Sequence, residues 1–191
     1  RRQRQMCIRD SHYQHVVETA AKYRMTVNAH EPIKDCGIRR TWPNMMSREG
    51  ARGKEWDAWS AGNPPSHEVT LPFTRLLAGP MDFTPGSMFS AQPEDNRSTG
   101  ANPMGTGTRA YQMALYVVFE SPLQMLADNP VLYRREHPCT EFLAAVPTTW
   151  DSLRVLRAAC GREVVVARRK GDKWYVGGIT NDRPYTTEIA L

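Results

Sequence analysis

Residues 12–31, which read HYQHVVETAAKYRMTVNAHE, decide the fold that this sequence predicts. The segment 13–24 is predicted to be helical, because its apolar side chains recur at helical spacing. These apolar residues are Tyr13, Val16, Val17, Ala20 and Tyr23. The run at 25–30, MTVNAH, contains a β-branched pair and predicts a short strand directly after the helix. A helix that leads into such a strand is half of a repeating unit with parallel strands, which predicts an α/β fold.

The alternation of helices and short strands continues to about residue 147. The predicted helices are 67–77, 107–119 and about 138–145, and the predicted strands are 78–83 and the SPLQML segment at 121–126. Residues 87–106 carry Gly, Pro, Ser and Asn with little periodicity, so they predict a long loop. Because loops of that length are usually functional or mobile, we expect this one on the active-site face.

The character of the sequence changes after Trp150. Four successive strands are predicted, at 152–159, 163–170, 173–180 and 185–191. The RKGDKW turn between the second and third of these strands is a hairpin signal. The C-terminal region is therefore predicted to be an antiparallel meander, and a domain boundary is placed near residue 148.

Three glutamates are the candidate site residues: Glu31 in VNAHEP, Glu49 in SREG and Glu55 in RGKEW. Glu31 directly follows the predicted first strand, and a carboxylate at the C-terminal end of a barrel strand faces the region where barrel active sites form. Carboxylates held in one pocket can divide the roles of acid, base and metal ligand. Because most glutamates are solvated surface groups, their spacing alone does not establish a site.

The strings NAHE, GIRRTWPN and LPFTRLLAGPMD resemble glycoside hydrolase family 97, and the resemblance extends from about His12 to the C-terminus. That family contains α-glucosidases and α-galactosidases with a (β/α)₈ TIM barrel between two β-sandwich domains. The resemblance implies the C-terminal part of the barrel at 12–147 and the beginning of the antiparallel sandwich domain at 148–191. A complete barrel takes about 250 residues, so we expect this chain to be an internal fragment.

The resemblance also implies roles for individual residues. Glu55 corresponds to the general acid and Glu31 to the general base, and Glu49 helps these two glutamates to hold a calcium ion. His30 corresponds to a residue that touches sugar hydroxyls, although a lone histidine could equally be a core residue bonded to a backbone carbonyl. The family's retaining branch has glycine at the position of Glu31, so the glutamate here favours an inverting α-glucosidase that acts on oligosaccharides.

Two alternatives to the inverting α-glucosidase stay open at this point. Sugar choice depends on the shape of the pocket, so α-galactosidase-like specificity is the second enzymatic expectation. The other alternative is an inactive fragment with at most weak sugar or calcium binding, because part of the pocket would lie outside this chain. The family's members are mostly exported, which implies a periplasmic or extracellular parent protein, and the oligomeric state is left open.

Composition argues against several other classes of protein. Residues 1–11, RRQRQMCIRDS, resemble translated sequencing-adapter sequence and are set aside as a non-native tail. That tail holds four Arg and one Asp, which is +3 of the net charge of +5, and the remainder shows no basic stripe that would predict a nucleic-acid partner. The cysteines form no CxxC motif of a zinc site, and no apolar run reaches the roughly 18 residues of a membrane span.

Three further acidic residues receive no catalytic role from the sequence. Asp57 and Glu68 are interpreted as ordinary surface charges. Asp82 lies at the end of the predicted strand at 78–83 and is interpreted as a structural residue that could also contact a sugar.

Overall fold

The structure is a computed structural model, and it describes the chain apart from Arg1, Glu31, Ile33, Cys36, Ala61 and Leu191. It begins with the helix α1, Arg2–Lys22, which starts eleven residues before the predicted helix at Tyr13. Helical backbone therefore extends through most of the segment that was set aside as non-native, although the origin of that segment stays a prediction. Val17 is fully buried and packs α1 against the first strands.

Two short parallel strands follow, of which the sequence predicted only the first. β1, Val27–Ala29, pairs with β2, Met45–Arg48, and the short helix α2, Ile38–Thr41, lies between them in the chain. Asn28 is opposite Ser47 in this register. Successive side chains of a strand point to opposite faces, so these two polar side chains share one face of the pair.

The strand predicted at 78–83 is reduced to a single parallel bridge between Arg48 and Met81. The prediction was wrong about a full strand, and the local residues explain why. Pro80 has no backbone N–H to donate to a ladder. Gly79 has a φ of 122°, which turns the chain away from an extended path. The amide of Asp82 still donates to the carbonyl of Arg48 over 2.9 Å, so the segment stays attached to β2.

The helix predicted at 67–77 is broken into three short pieces. These pieces are α3, Pro65–Glu68, and two 3₁₀ turns, Leu71–Phe73 and Arg75–Ala78. Pro72 removes a donor from the interior of the predicted helix, which interrupts its hydrogen-bond ladder. The predicted loop at 87–106 is largely irregular, with only the two-residue strands β3, Ser90–Ala91, and β4, Gly105–Thr106, and a 3₁₀ turn at Pro93–Asp95.

The helix α4, Arg109–Val118, is the centre of the main hydrophobic core and confirms the helix predicted at 107–119. The hydroxyl of Thr108 caps it by accepting a hydrogen bond from the amide of Tyr111 over 3.1 Å. The strand predicted at 121–126 is absent from this described segment, because side chains there donate hydrogen bonds to backbone carbonyls of the same segment and its flank. Ser121 donates to the carbonyl of Leu123, and Gln124 donates to the carbonyl of Phe119.

The rest of the α-helical region consists of α5, Pro130–Arg135, and α6, His137–Ala145, where one helix at about 138–145 was predicted. The three strands that follow confirm the predicted meander. They are β5, Ser152–Ala159, β6, Glu163–Lys170, and β7, Lys173–Thr180, in the order β5-β6-β7 with antiparallel pairing.

The fourth predicted strand, at 185–191, was wrong for its described part, because residues 185–190 form no strand. One face of the three-stranded sheet packs on α4. Gly177 of β7 permits this contact, since a Cβ at that position would lie 2.7 Å from the Cβ of Val117. Among the described helices, none is both long and apolar enough to cross a membrane.

Candidate active site

The candidate site lies at the C-terminal ends of the two parallel strands. Ala29 ends β1 and Arg48 ends β2, and the amide of Glu49 donates to the carbonyl of Ala29 over 2.9 Å. His30 and Glu49 therefore leave adjacent strand ends side by side. Carboxyl ends of parallel strands are where α/β folds gather functional groups.

His30 is the centre of a cluster of three carboxylates. Its Nε2 atom is 2.7 Å from Oε1 of Glu55 and 3.6 Å from Oε1 of Glu49. Its Nδ1 atom is 3.5 Å from Oδ2 of Asp82. The His30 and Glu55 side chains are 48% and 37% exposed, whereas those of Glu49 and Asp82 are 8% and 5% exposed. Two of the four groups are thus open to a substrate, and two are buried behind them.

The structure brings together three of the four residues that the sequence singled out. Glu49 and Glu55 meet at His30, whose contacts among the described residues are with carboxylates, whereas a core histidine would bond to a backbone carbonyl. Glu31 lies outside the described residues, so its role as a catalytic group and as a metal ligand stays a prediction.

Several opposing effects set the pKa of His30. Burial alone would lower it, but the hydrogen bond to Glu55 and the negative charges of Glu49 and Glu55 raise it, and a hydrogen bond to Asp82 acts in the same direction. The net result is a pKa above the usual value of a histidine. His30 therefore keeps its proton to a higher pH than a free imidazole, and its Nε2 atom shares a hydrogen bond with Oε1 of Glu55.

Asp82 is more closely tied to the site than the sequence indicated. Its Oδ2 atom accepts a hydrogen bond from the side-chain amide of Asn28 over 2.9 Å, and Oδ1 of Asn28 in turn accepts one from the hydroxyl of Ser47 over 2.6 Å. Asn28 and His30 are two residues apart, so strand periodicity places them on the same face. The place of Asp82 at the end of the segment predicted as a strand at 78–83 was the signal in the sequence that could have joined it to the cluster.

The interpretation of Asp57 and Glu68 as surface charges was wrong. Both side chains are buried, and both contact the ammonium of Lys54, at 3.0 Å and 2.9 Å. Burial alone would lower the pKa of Lys54, but the carboxylates of Glu68 and Asp57 raise it above its usual value, so the ammonium keeps its charge. Residue types gave no signal of this cluster, because Lys, Asp and Glu are rarely buried unless they are paired.

The carboxylates around His30 are the kind of donor that holds a divalent cation. Ligand atoms of His30, Glu49 and Glu55 all lie within 4.8 Å of one another. With Asp82, three carboxylates face one imidazole, so the cluster keeps a net negative charge even when His30 is protonated. Calcium takes several oxygen ligands, and carboxylates supply them.

Comparisons with known proteins identify relatives of this chain. Residues 2–51 match the family model described as glycoside hydrolase 97, and residues 149–191 match the one described as glycosyl-hydrolase 97 C-terminal, oligomerisation. A solved glycoside hydrolase family 97 enzyme from Pseudoalteromonas sp. strain K8, in complex with acarbose, is 47% identical with a TM-score of 0.77, over 88% of this chain and 26% of that one. The family models assign residues 2–51 and 149–191 to glycoside hydrolase family 97.

Two curated relatives carry names that specify an activity. The retaining alpha-galactosidase of Bacteroides thetaiotaomicron is 45% identical over 86% of this chain and 25% of its own length. The probable retaining alpha-galactosidase of Streptomyces bingchenggensis is 35% identical over 94% of this chain and 26% of its own length. The chain therefore spans about a quarter of the length of the curated relatives it matches.

These relatives correct the expected function. An inverting α-glucosidase, with Glu55 as acid and Glu31 as the base that activates water, was the leading expectation. The inverting mechanism and the glucosidase specificity were wrong, because the two curated relatives described above are named as retaining α-galactosidases, whereas the catalytic roles of the two glutamates stay predictions. The alternative expectation of α-galactosidase-like specificity agrees with them better.

Proposed function

We propose that this chain contributes part of the active site of a retaining α-galactosidase that acts on oligosaccharides. The observation that carries the proposal is the His30–Glu55 pair at the ends of two parallel strands, backed by the buried carboxylates of Glu49 and Asp82. The names of the two curated relatives support the sugar and the stereochemistry. The match to a glycosidase family model supports hydrolysis itself.

Glu55 is the acid/base residue in this proposal. A retaining glycosidase first protonates the leaving oxygen and then uses the same residue as a base toward water. Glu55 suits both steps, because its carboxyl is partly exposed and its Oε1 atom is bonded to His30. The imidazole would fix the orientation of the carboxyl through the contact between Nε2 and Oε1 of Glu55.

The nucleophile is a separate carboxylate in a retaining mechanism. Glu49 is too buried to reach the anomeric carbon, so we assign it to holding the cluster. The family resemblance places the retaining nucleophile on an earlier strand, which we propose is supplied from outside this chain. The isolated chain is accordingly proposed to have little activity.

Calcium binding is the second part of the proposal. Glu49 and Glu55 would hold the ion together with Glu31, whose predicted role as a ligand is untested. When bound, calcium would polarise sugar hydroxyls and offset the negative charge of the carboxylates. A periplasmic or extracellular location, and self-association through the C-terminal segment, are proposals that rest on the family resemblance and on the description of the C-terminal match.

Sugar specificity and metal dependence can be tested together. The full-length enzyme that carries this chain should hydrolyse a p-nitrophenyl α-galactoside at least about tenfold faster than the matched α-glucoside, as kcat/KM, and chelation of calcium should lower both rates. A preference for the glucoside would contradict the proposed specificity. Full activity in excess chelator would contradict the proposed role of calcium without affecting the assignment of Glu55 as the acid/base residue.

A further inference from the structure

The short turn that carries Glu55 is anchored by buried charges. Glu55 lies in a 3₁₀ turn, Lys54–Ala58, whose first residue points into the protein. The Lys54 ammonium is 2.9 Å from Oε1 of Glu68 and 3.0 Å from Oδ2 of Asp57. All three of these side chains are at most 2% exposed, so the contacts are shielded from water.

Hydrogen bonds fix the backbone on both sides of the turn. The amide of Asn63 donates to Oδ1 of Asp57 over 2.7 Å, and the side-chain amide of Asn63 donates to the carbonyl of Gly53 over 2.6 Å. The amide of Lys54 donates to the carbonyl of Phe83 over 2.9 Å. The residues before and after Glu55 are therefore each held by the surrounding protein.

The geometry of a 3₁₀ helix links this anchoring to Glu55. Such a helix has about three residues per turn, so side chains three apart lie on the same face. Lys54 and Asp57 are three apart and both point inward, which turns Glu55 toward the outside and toward His30. Rotation of the turn about its axis would break the Lys54 contacts and move the Glu55 carboxyl away from the imidazole.

A contribution to the stability of the fold does not by itself explain why these three charged side chains are buried together. Desolvating an ion pair costs several kcal/mol per ion, and replacing a buried pair by neutral groups of similar volume is often neutral or stabilising. A buried pair can, however, define one arrangement of the chain. Here that arrangement places a partly exposed carboxyl 2.7 Å from a histidine nitrogen.

We propose that Lys54, with Glu68 and Asp57, is a positioning residue for the acid function of Glu55. It acts only through Glu55, because its own ammonium is buried and cannot reach a sugar. The inference rests on the proposed function of Glu55 as the group that protonates the leaving oxygen. Loss of the cluster should therefore lower kcat/KM only for substrates whose leaving group needs a proton.

The test compares two substrates in the full-length enzyme. The double variant Lys54→Met with Glu68→Gln removes one positive and one negative charge while nearly conserving volume. We expect kcat/KM for methyl α-galactoside to fall about 100-fold, the scale of general acid catalysis. For 2,4-dinitrophenyl α-galactoside the fall should be under about threefold, because that phenolate leaves without a proton.

A matched control separates positioning from general damage. Arg168 is also a buried cation, but it lies in β6, where it donates to the carbonyl of Val118. Arg168→Met should lower kcat/KM for both substrates by the same factor, if at all. If the double variant does not fold, Glu68→Gln alone, which keeps the Lys54–Asp57 contact, must show the same substrate dependence with a smaller factor.

Other outcomes overturn the inference in distinguishable ways. Equal losses for both substrates, or no loss for either, in a folded variant would show that Lys54 does not position Glu55. If the unsubstituted enzyme cleaves neither galactoside, the proposed function fails, and the inference fails with it.

Discussion

The C-terminal sheet, formed by β5, β6 and β7, and the site segment, defined as residues 48–82, are stabilised in different ways. In the sheet, β6 is bonded along both edges to its neighbours. Val164, Val166 and Ile179 bury their side chains in the core that contains α4. Stability there is shared among many equivalent backbone bonds and apolar contacts, so single polar side chains contribute little.

The site segment has little regular structure and depends on individual polar side chains. The guanidinium of Arg75 donates to four backbone carbonyls, and two of them, those of Arg48 and Glu49, lie at the end of β2. Lys54 fixes the turn that carries Glu55. The comparison indicates that a few side chains define the site geometry, whereas the sheet is a scaffold with distributed stability.

The largest expected effect separates activity from stability. Glu55→Gln in the full-length enzyme should lower kcat/KM for methyl α-galactoside by about 10²–10⁴, because the leaving oxygen loses its proton donor. The thermal midpoint should stay within a few degrees of the unsubstituted enzyme, since Glu55 is partly exposed. Glu94→Gln, at an exposed glutamate of the 87–106 loop, is the control and should change neither quantity.

Removal of Arg75 should be the most destabilising change in the site segment. Arg75→Met leaves four carbonyls without this donor. An unsatisfied buried acceptor lowers the free energy of unfolding by about 1–3 kcal/mol, and the loss is smaller where water can bind the carbonyl. We expect the free energy of unfolding to fall by about 3 kcal/mol in urea denaturation. Arg40→Met, at an exposed arginine of α2, should cost under about 0.5 kcal/mol. Equal costs would argue that the polar contacts of Arg75 do not hold this segment.

Adding a side chain at Gly177 should destabilise the packing of the sheet on α4. Gly177→Ala places a Cβ 2.7 Å from that of Val117, so we expect a loss of about 1–3 kcal/mol from overpacking. Gly178→Ala is the matched neighbour, because its Cβ would lie 3.4 Å or more from other atoms. Thermal unfolding should show the difference, while kcat/KM at a temperature where both variants are folded should be unchanged. A selective loss of activity in Gly177→Ala would weaken the distinction between scaffold and site.

The smallest expected effect concerns the charge of His30. Its pKa should lie above 6.5 in a nuclear magnetic resonance titration with chelator present, and Glu55→Gln should lower it. A raised folded-state pKa means that this group stabilises the fold at low pH, and that the contribution is lost as pH rises through the folded pKa. A pKa that does not respond to Glu55→Gln would contradict the 2.7 Å contact.

The two regions also differ in how far the sequence predicts them. The strands β5, β6 and β7 and the helix α4 follow from local patterns, because alternation, hairpin residues and helical spacing are all short-range. The strands expected at 78–83 and 121–126 failed because Pro80 and the bonds made by Ser121 and Gln124 override strand propensity. Pro80 is a visible signal against a strand, whereas the side-chain bonds of Ser121 and Gln124 are not predicted by local sequence patterns.

The candidate site was predicted in part for a similar reason. Glu49, Glu55 and His30 lie close together in the chain, so proximity in sequence indicated proximity in space. Glu68 binds Lys54 only because the chain folds back between them, and residue types alone suggest a surface charge. The predicted glucosidase specificity disagrees with the names of the curated relatives, because sugar specificity depends on the shape of a pocket and not on single residues.

The anomer of galactose that is released first tests the central claim most directly. The full-length enzyme would be mixed with methyl α-galactoside and followed by proton nuclear magnetic resonance before mutarotation is complete. The account predicts α-galactose first, because two displacements through Glu55 and a separate nucleophile retain the configuration. If β-galactose appears first, water attacks directly, and the retaining assignment of this site is contradicted.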